Sequence, residues 1–418
     1  MLTKVDVRGA GGELPSIVAG LRPVPERAIV EEIIADVRER GDQALIELTA
    51  KYDGCDLSST GIVVGSAEIE AAAERVPTSV YQALEEAGGR IRAYQEQIME
   101  SIPERTVFER SGAYVESLRK TVAAAGLYAP GGRHSYPSTV LMSVIPAKVA
   151  GVEVTRLCVP PGDGGAIADA SLAAAGLAGA DEVLRIGGAQ AIAALAYGTE
   201  SVGRVDVIAG PGNSFVAEAK RQVFGDVGID SIAGPSELMV IADNRANPAW
   251  IGTDLLAQAE HGPGGACVLV VWDESVAAQV DAALGEVEGS SVICDGPEQA
   301  VEIANLFAPE HLQLMVDDPG TFLDGVNNAG AVFLGYDTPT AYGDYIAGPN
   351  HILPTGGSAR FSSALSVEVF LRRMHAVEFT QFGVETVGQV AEVIAEAEGM
   401  SAHAESVRLR TRAAEARE

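Results

Sequence analysis

Lysine is scarce: the 418 residues hold five, Lys4, Lys51, Lys120, Lys148 and Lys220. Positive charge as a whole is outnumbered, 29 Lys and Arg against 58 Asp and Glu, for a formal net charge of −29. A surface of that sign does not track phosphates or seek an anionic bilayer, which excludes nucleic acid and membrane as first readings of the partner. The acid excess reads as a solvated surface, with steering of a cationic substrate as the narrower alternative. Aromatics make up only 5%, too few for a β-sandwich core. The four cysteines, Cys55, Cys158, Cys267 and Cys294, are far apart with no CxxC. That excludes a disulfide framework and a thiolate zinc site and fits a reducing cytosol. The longest apolar runs, such as the seven residues Ala266–Trp272, are too short to span a bilayer. MLTKVDVRGA at the start has no apolar signal core, so the expected location is cytoplasmic. There is no 20–50-residue repeat and no low-complexity block.

What is present is an α/β texture. Apolar residues are 47% and glycines number 47, which suits close helix–sheet packing, and the length suggests two or three domains. Glu26–Tyr52 and Ala67–Met99 carry helical periodicity. From Tyr128, strand-like runs at Leu157–Val159, Glu182–Ile186 and Val205–Ile208 alternate with Ala-rich helical segments. Such alternation predicts βαβ units and a parallel sheet covered on both faces. A second set begins at Leu238 and runs through a helix over Pro248–Glu260, a strand over Cys267–Trp272, a helix over Pro297–Phe307 and a strand over Ala331–Leu334. The tail from Phe370 reads as helical and charged, with no strand.

Four polar strings stand out. In LLAQAEHGPGG (255–265), Gln258 and His261 lie at i and i+3 on one helical face, with Gly262 and Pro263 as the stop. An amide oxygen and an imidazole suit a borderline metal such as zinc; alone, the pair reads equally as a cap and a surface histidine. In APEHLQL (308–314), Glu310 and His311 follow a helix-breaking Pro309 and offer two bases side by side; the plain alternative is two exposed polar residues. YGDYIAGPNHILPTGG (342–357) gathers Asp344, Asn350 and His351 in a long loop, either turn chemistry or a functional loop. EGMSAH (398–403) sets Glu398 five residues before His403 on the tail, which alone reads as surface. Four of the six histidines fall in these four strings, and that coincidence is the stronger signal.

No G-x-G-x-x-G is present: GDGGAI (162–167), GPGNSF (210–215) and GPGGAC (262–267) each lack the last glycine, so the usual dinucleotide fingerprint fails. GPGNSF does follow a strand and open a helix with Asn213 at the N-cap, a place where a pyrophosphate would be stabilised. Tyr128 in GLYAPGG (126–132) can stack on a base, and Gln190 in GGAQAIAALAYGT (187–199) opens a helix after a strand; a half-buried turn tyrosine and a helix cap are the plain readings. On these residues alone the chain is a soluble α/β enzyme with possible metal and nucleotide sites.

In this order, LYAPGG, YPSTVLM, GGAQAIAALAYGT, GPGN, AGPSE, LLAQAEHGP, APEHL, GDYIAGPNHILPTGG, ARFSS, LSV and EGMSAH resemble the histidinol dehydrogenase family from about Gly126 to His403. The resemblance implies a zinc-requiring oxidation of L-histidinol to L-histidine with two NAD, the last step of histidine biosynthesis. It carries zinc ligands onto Gln258, His261, Asp344 and His403, with one Zn2+ per subunit. The acid–base pair falls on Glu310 and His311. Substrate contacts fall on Ser236, His351 and Glu398, besides the metal ligands and His311, and NAD contacts fall on Tyr128, Gln190 and Asn213. It further implies a homodimer whose tail brings His403 and Glu398 to the neighbouring subunit's site. Small departures occur at Ala129, His134 and Phe215, none of them a ligand position.

Pattern and resemblance together predict two Rossmann-like parallel-sheet domains lacking the glycine fingerprint. A short segment spans 1–21, a discontinuous large domain 22–127 and 238–366, an inserted NAD-binding domain 128–237, and a helical tail 367–418. Three rival readings are a zinc/NAD dehydrogenase of another small alcohol or polyol, a zinc hydrolase, and a zinc-stabilised scaffold. Absence of HExxH weighs against the hydrolase. A thiohemiacetal on cysteine is disfavoured because the cysteines lie outside every motif-rich loop.

Overall fold

The computed structural model describes residues 2–21, 30–131, 135–232, 234–262, 264–284 and 287–415. The chain forms two compact units: Met1–Met99 with Val122–Phe370, and Glu100–Thr121 with Leu371–Glu418.

The first unit contains two parallel sheets. One has six strands in the order Thr3–Asp6, Ser290–Ile293, Ala266–Val271, Glu237–Ala242, His311–Met315, Ala331–Leu334. Its central strands, ELMVIA, ACVLVV and HLQLM, are buried along their whole length, as continuous apolar runs must be when helices cover both faces. The other has five strands in the order Glu182–Leu184, Val154–Cys158, Ala124–Tyr128, Val207–Ala209, Gly228–Ile229. It starts in the middle and winds outward both ways, so the chain leaves Ala124–Tyr128 and Val207–Ala209 in opposite directions. That is a topological switch point, where a crevice opens at the carboxyl ends of the strands. Helix and sheet approach closely here because the residues are small: a Cβ on Gly126 would come within 2.8 Å of Leu195 on the Ala-rich helix Gly188–Tyr197.

Element types largely follow the sequence periodicity, and three departures change the layout. The segment 1–21 is not a separate appendage. Thr3–Asp6 pairs in parallel with Ser290–Ile293 at the edge of the six-stranded sheet, and Leu14 and Val18 join the core of Phe307 and Leu312. The helices Glu31–Arg40 and Asp42–Tyr52, grouped above with the large domain, share their core with the five-stranded sheet instead. Gly41, at φ +55, divides what the periodicity reads as one helix.

The second unit holds the third departure. A nine-residue strand, Leu371–Phe379, opens the tail and pairs antiparallel with Ala113–Thr121, which pairs with Arg105–Arg110. This strand is exposed and carries two arginines, a histidine and a glutamate, so its apolar alternation is too weak to read. The tail is helical beyond it, over Gln381–Ala397 and Ser401–Glu415. No helix among the described residues is long and apolar enough to cross a membrane.

Candidate active site

Two adjoining cavities of the first unit collect most of the predicted residues. The larger, about 400 Å³, is lined by Ser236, His261, Glu310, His311, Asp344 and His351 among others. The second, about 380 Å³, is lined by Tyr128, Gln190, Asn213, Phe215 and Asp53 among others. Pro130, Tyr136 and Asn213 line both, so a ligand in one abuts a ligand in the other.

Glu310 and His311 are not exposed residues after a helix. His311 is the first residue of a central strand, in register with Leu238 and Ala331, and both side chains are buried. Ala308 takes a left-handed φ of +49 at the end of helix Pro297–Phe307, which turns the chain into that strand. The Ser236 hydroxyl donates to Glu310 Oε2 at 2.6 Å, and the Glu237 amide donates to the same oxygen at 2.8 Å. His311 Nδ1 lies 3.0 Å from the Glu237 carbonyl oxygen, which can only accept. The neutral ring therefore carries its proton on Nδ1, and Nε2, on the Asp344 side, keeps the lone pair. Nε2 is buried without a hydrogen-bond partner among the described residues and stands 3.5 Å from Asp344 Oδ1. Burial works to lower the pKa of His311, but Glu310 and then Asp344 outweigh it and hold the imidazole well above its ordinary value.

Asp344 sits on the short helix Thr340–Tyr345, which the sequence reads as loop. Burial raises its carboxyl, and the neighbouring imidazoles, His311 first, bring the net pKa below the ordinary value. His351 places Nδ1 3.0 Å from the Asp344 carbonyl and Nε2 2.9 Å from the Thr139 hydroxyl. By the same tautomer argument its Nδ1 donates and its Nε2 accepts. Burial lowers its pKa against the pull of Asp344. Asn350 fixes the loop: its amide donates to the Met142 carbonyl at 2.6 Å and accepts from Ile352 N at 2.9 Å.

Gln258 is buried near the end of helix Pro248–Ala259, and exposed His261 follows. The Gln258 amide nitrogen has no partner among the described residues, and a half-turn of the amide exchanges its oxygen into that place. His261 is near enough to Asp344 to act on its carboxyl. Amide, imidazole and carboxylate form a donor set that fits zinc. Among the described residues no three His, Cys, Asp or Glu side chains gather as a metal cluster. Glu398 and His403 lie on the second unit, exposed, and line a depression there with Ile394 and Met400. His134 and Pro263 lie outside the described residues.

In the second cavity, Tyr128 is buried and its hydroxyl accepts from the Gly188 amide at 3.1 Å. Gln190 is buried and donates to Asp53 at 3.4 Å. Asn213 caps helix Ser214–Val223, accepting from Phe215 N and Val216 N at 3.1 Å each, which leaves its NH2 group for a ligand. Sequence reasoning missed what holds this loop. Lys220 and Asp230 form an ion pair, almost wholly buried, that grips both sides of Gly210: Lys220 Nζ donates to its carbonyl at 2.9 Å and Asp230 accepts from its amide at 2.8 Å. Gly210, at φ +122, packs where a Cβ would overlap the Tyr128 carbonyl. A lysine within a βαβ unit of so lysine-poor a chain was the available signal. Asp53, at a helix end outside every motif, gave none. All four cysteines are buried thiols whose pKa burial raises.

The chain matches the family model for histidinol dehydrogenase over residues 24–411. It is 47% identical over 407 residues to a histidinol dehydrogenase of Synechococcus sp., covering 93% of this chain and 92% of that one. It is 48% identical over 402 residues to one of Thermosynechococcus vestitus, covering 92% and 93%. The crystal structure of histidinol dehydrogenase from Elizabethkingia anophelis superposes with a TM-score of 0.91 at 33% identity, over 99% of this chain and 98% of that chain. An α/β chain with two parallel sheets and a buried Glu–His pair at the head of a central strand, it belongs to the histidinol dehydrogenase family of oxidoreductases.

Proposed function

We propose that this protein is a cytoplasmic enzyme that oxidises L-histidinol to L-histidine through the bound aldehyde, the last step of histidine biosynthesis. The observation that carries the reading is His311 in the lining of one cavity, its Nε2 beside Asp344 and without a hydrogen-bond partner among the described residues, next to a second cavity suited to a dinucleotide. Tyr128, Gln190 and Asn213 would hold NAD there, and the bound cofactor would supply the hydride acceptor for each of two successive oxidations. Zinc, when held by Gln258, His261 and Asp344 with His403 of the partner subunit as a fourth ligand, would orient the substrate's imidazole and amine and polarise its oxygen.

The chain's own residues handle the protons. His311 Nε2 takes the hydroxyl proton of the alcohol, and Glu310, fixed by Ser236 and Glu237, stabilises the imidazolium that results. In the second half, after His311 has released its proton to solvent, Glu310 takes a proton from the water that adds to the aldehyde, and His311 takes the hydroxyl proton of the hydrate as the second hydride leaves. Commitment of Asp344 to a cation removes part of what holds the His311 pKa up, which returns the ring toward the range where a base works. His351, neutral and anchored to Thr139, contacts the substrate. The partner subunit's Glu398 pairs with the substrate ammonium in this reading. Such pairing, rather than the net charge of −29, supplies the electrostatic selection.

The test is the NADH yield of the zinc-loaded protein on L-histidinol. Two NADH per histidinol is expected; no signal with histidinol but turnover of another alcohol overturns the reading. In the same assay His311→Asn should lose roughly 10²–10⁴-fold in turnover with melting temperature and zinc content unchanged. Near-normal turnover removes His311 from the chemistry.

A further inference from the structure

Asp53 is an unusual carboxylate. It caps the C-terminal end of helix Asp42–Tyr52, where the backbone carbonyls disfavour negative charge. It is more than half buried, and burial alone raises its pKa to about 6, with no cation acting on it. Its one side-chain hydrogen bond among the described residues is the long contact from Gln190 Nε2, 3.4 Å. A desolvated anion at the wrong end of a helix destabilises the fold, and among the described residues only the long Gln190 contact offsets it.

The cavity it lines explains it. The N-terminal ends of helices Gly188–Tyr197 and Ser214–Val223 open into the same space through Gly188 and Asn213, and helix N-termini stabilise a pyrophosphate. Pro130, Pro160 and Phe215 supply flat apolar walls, suited to a base. Among the described residues no Lys, Arg or His lines this cavity. It has donors for one phosphate pair and, at Asp53, the one carboxylate among the described residues that line it. A diol satisfies that acceptor; a phosphate monoester, with acceptors only and two negative charges, does not.

We propose that Asp53 is the specificity-determining residue of the cofactor cavity: its carboxylate accepts hydrogen bonds from a ribose diol of NAD and rejects a phosphate in the same place, as in NADP. The proposal rests on the reading that this cavity takes the dinucleotide. No catalytic step depends on Asp53.

Calorimetric titration of the zinc-loaded full-length protein with NAD and with NADP tests it at pH 8, where Asp53 is ionised. Wild type, Asp53→Asn, Asp53→Ser and Gln190→Ala are compared, with folding checked by thermal melting. Wild type should favour NAD by roughly a hundredfold, and both Asp53 variants should lower that ratio by about tenfold or more, mainly through tighter NADP binding. If Gln190→Ala weakens NAD binding while neither Asp53 variant changes the ratio, the cavity stands and the role of Asp53 is overturned. If wild type binds neither dinucleotide, or if no variant alters either affinity, the cavity reading itself fails and the proposal with it.

Discussion

At the scale of single residues, Asp53 links pH to stability in a direction opposite to most carboxylates. Its pKa in the fold is about 6, against an ordinary 3.8, so the folded chain holds this proton more tightly than the unfolded chain. The neutral group costs nothing below the ordinary value; the burial cost sets in as pH rises through this window and is complete above it. Asp53→Asn should therefore be more stable than wild type by about 1 kcal/mol above the folded pKa, a figure discounted for partial exposure. The gain should vanish near pH 4. Paired denaturant titrations at the two pH values measure it, and an equal difference at both would show that charge is not the cause. His311 illustrates the complementary case. Its identity as a base is suggested by residue type, but its tautomer is set by the Glu237 carbonyl across the strand pair, a partner 74 positions away that no local pattern reveals.

At the scale of elements, the Lys220–Asp230 pair is a clamp on the loop carrying Asn213. Both charges are nearly fully buried, and both ends also bind the Gly210 peptide groups. Removing one partner strands the other, so Lys220→Met should lose about 3–5 kcal/mol in chemical denaturation. Lys220→Met with Asp230→Leu should regain much of that stability, yet still bind NAD more weakly, because the Gly210 loop loses its anchors. Recovery of full NAD affinity in the double variant would show that the clamp serves stability alone. Elements themselves were largely legible: the buried strands ELMVIA and ACVLVV, the helix capped at Asn213 and the helix opening at Pro248 follow from apolar runs and N-cap chemistry. The exposed strand Leu371–Phe379 was not, since a strand held by ladder hydrogen bonds rather than by burial carries no period-two apolar signal. The strand at His311 was hidden for another reason. Pro309 and the polar pair Glu310–His311 look like loop, and only the ladder to Glu237–Ala242 and Ala331–Leu334 makes them the head of a strand.

At the scale of the whole molecule, the proposal takes three zinc donors, Gln258, His261 and Asp344, from one chain, and zinc sites reach four ligands with protein, substrate or water. The resemblance assigns a further ligand to the tail of a second copy, and subunit mixing tests that assignment. If sites are shared, His311→Asn and His403→Ala proteins, each nearly inactive alone, should regain part of their activity when dissociated and reassembled together, because one site of the heterodimer then has both residues intact. Heterodimers verified by differential tags that show no activity would count against a shared site. The acid excess belongs at this scale too: charges spread over the surface of a 418-residue chain act as a screened field, not as a contact.

Composition and local pattern by themselves determined the class of this protein: alternating apolar runs and Ala-rich helices force covered parallel sheets, and ordered motif strings identify the family. They also named the residue types that are candidates for chemistry. Tertiary structure alone decided how those residues are placed. Which sheet each helix packs on, which nitrogen of His311 carries the proton, what grips Gly210 and where Asp53 points depend on partners distant in the chain. Burial and hydrogen-bond geometry arise from such long-range juxtaposition, and no periodicity within a short window encodes it.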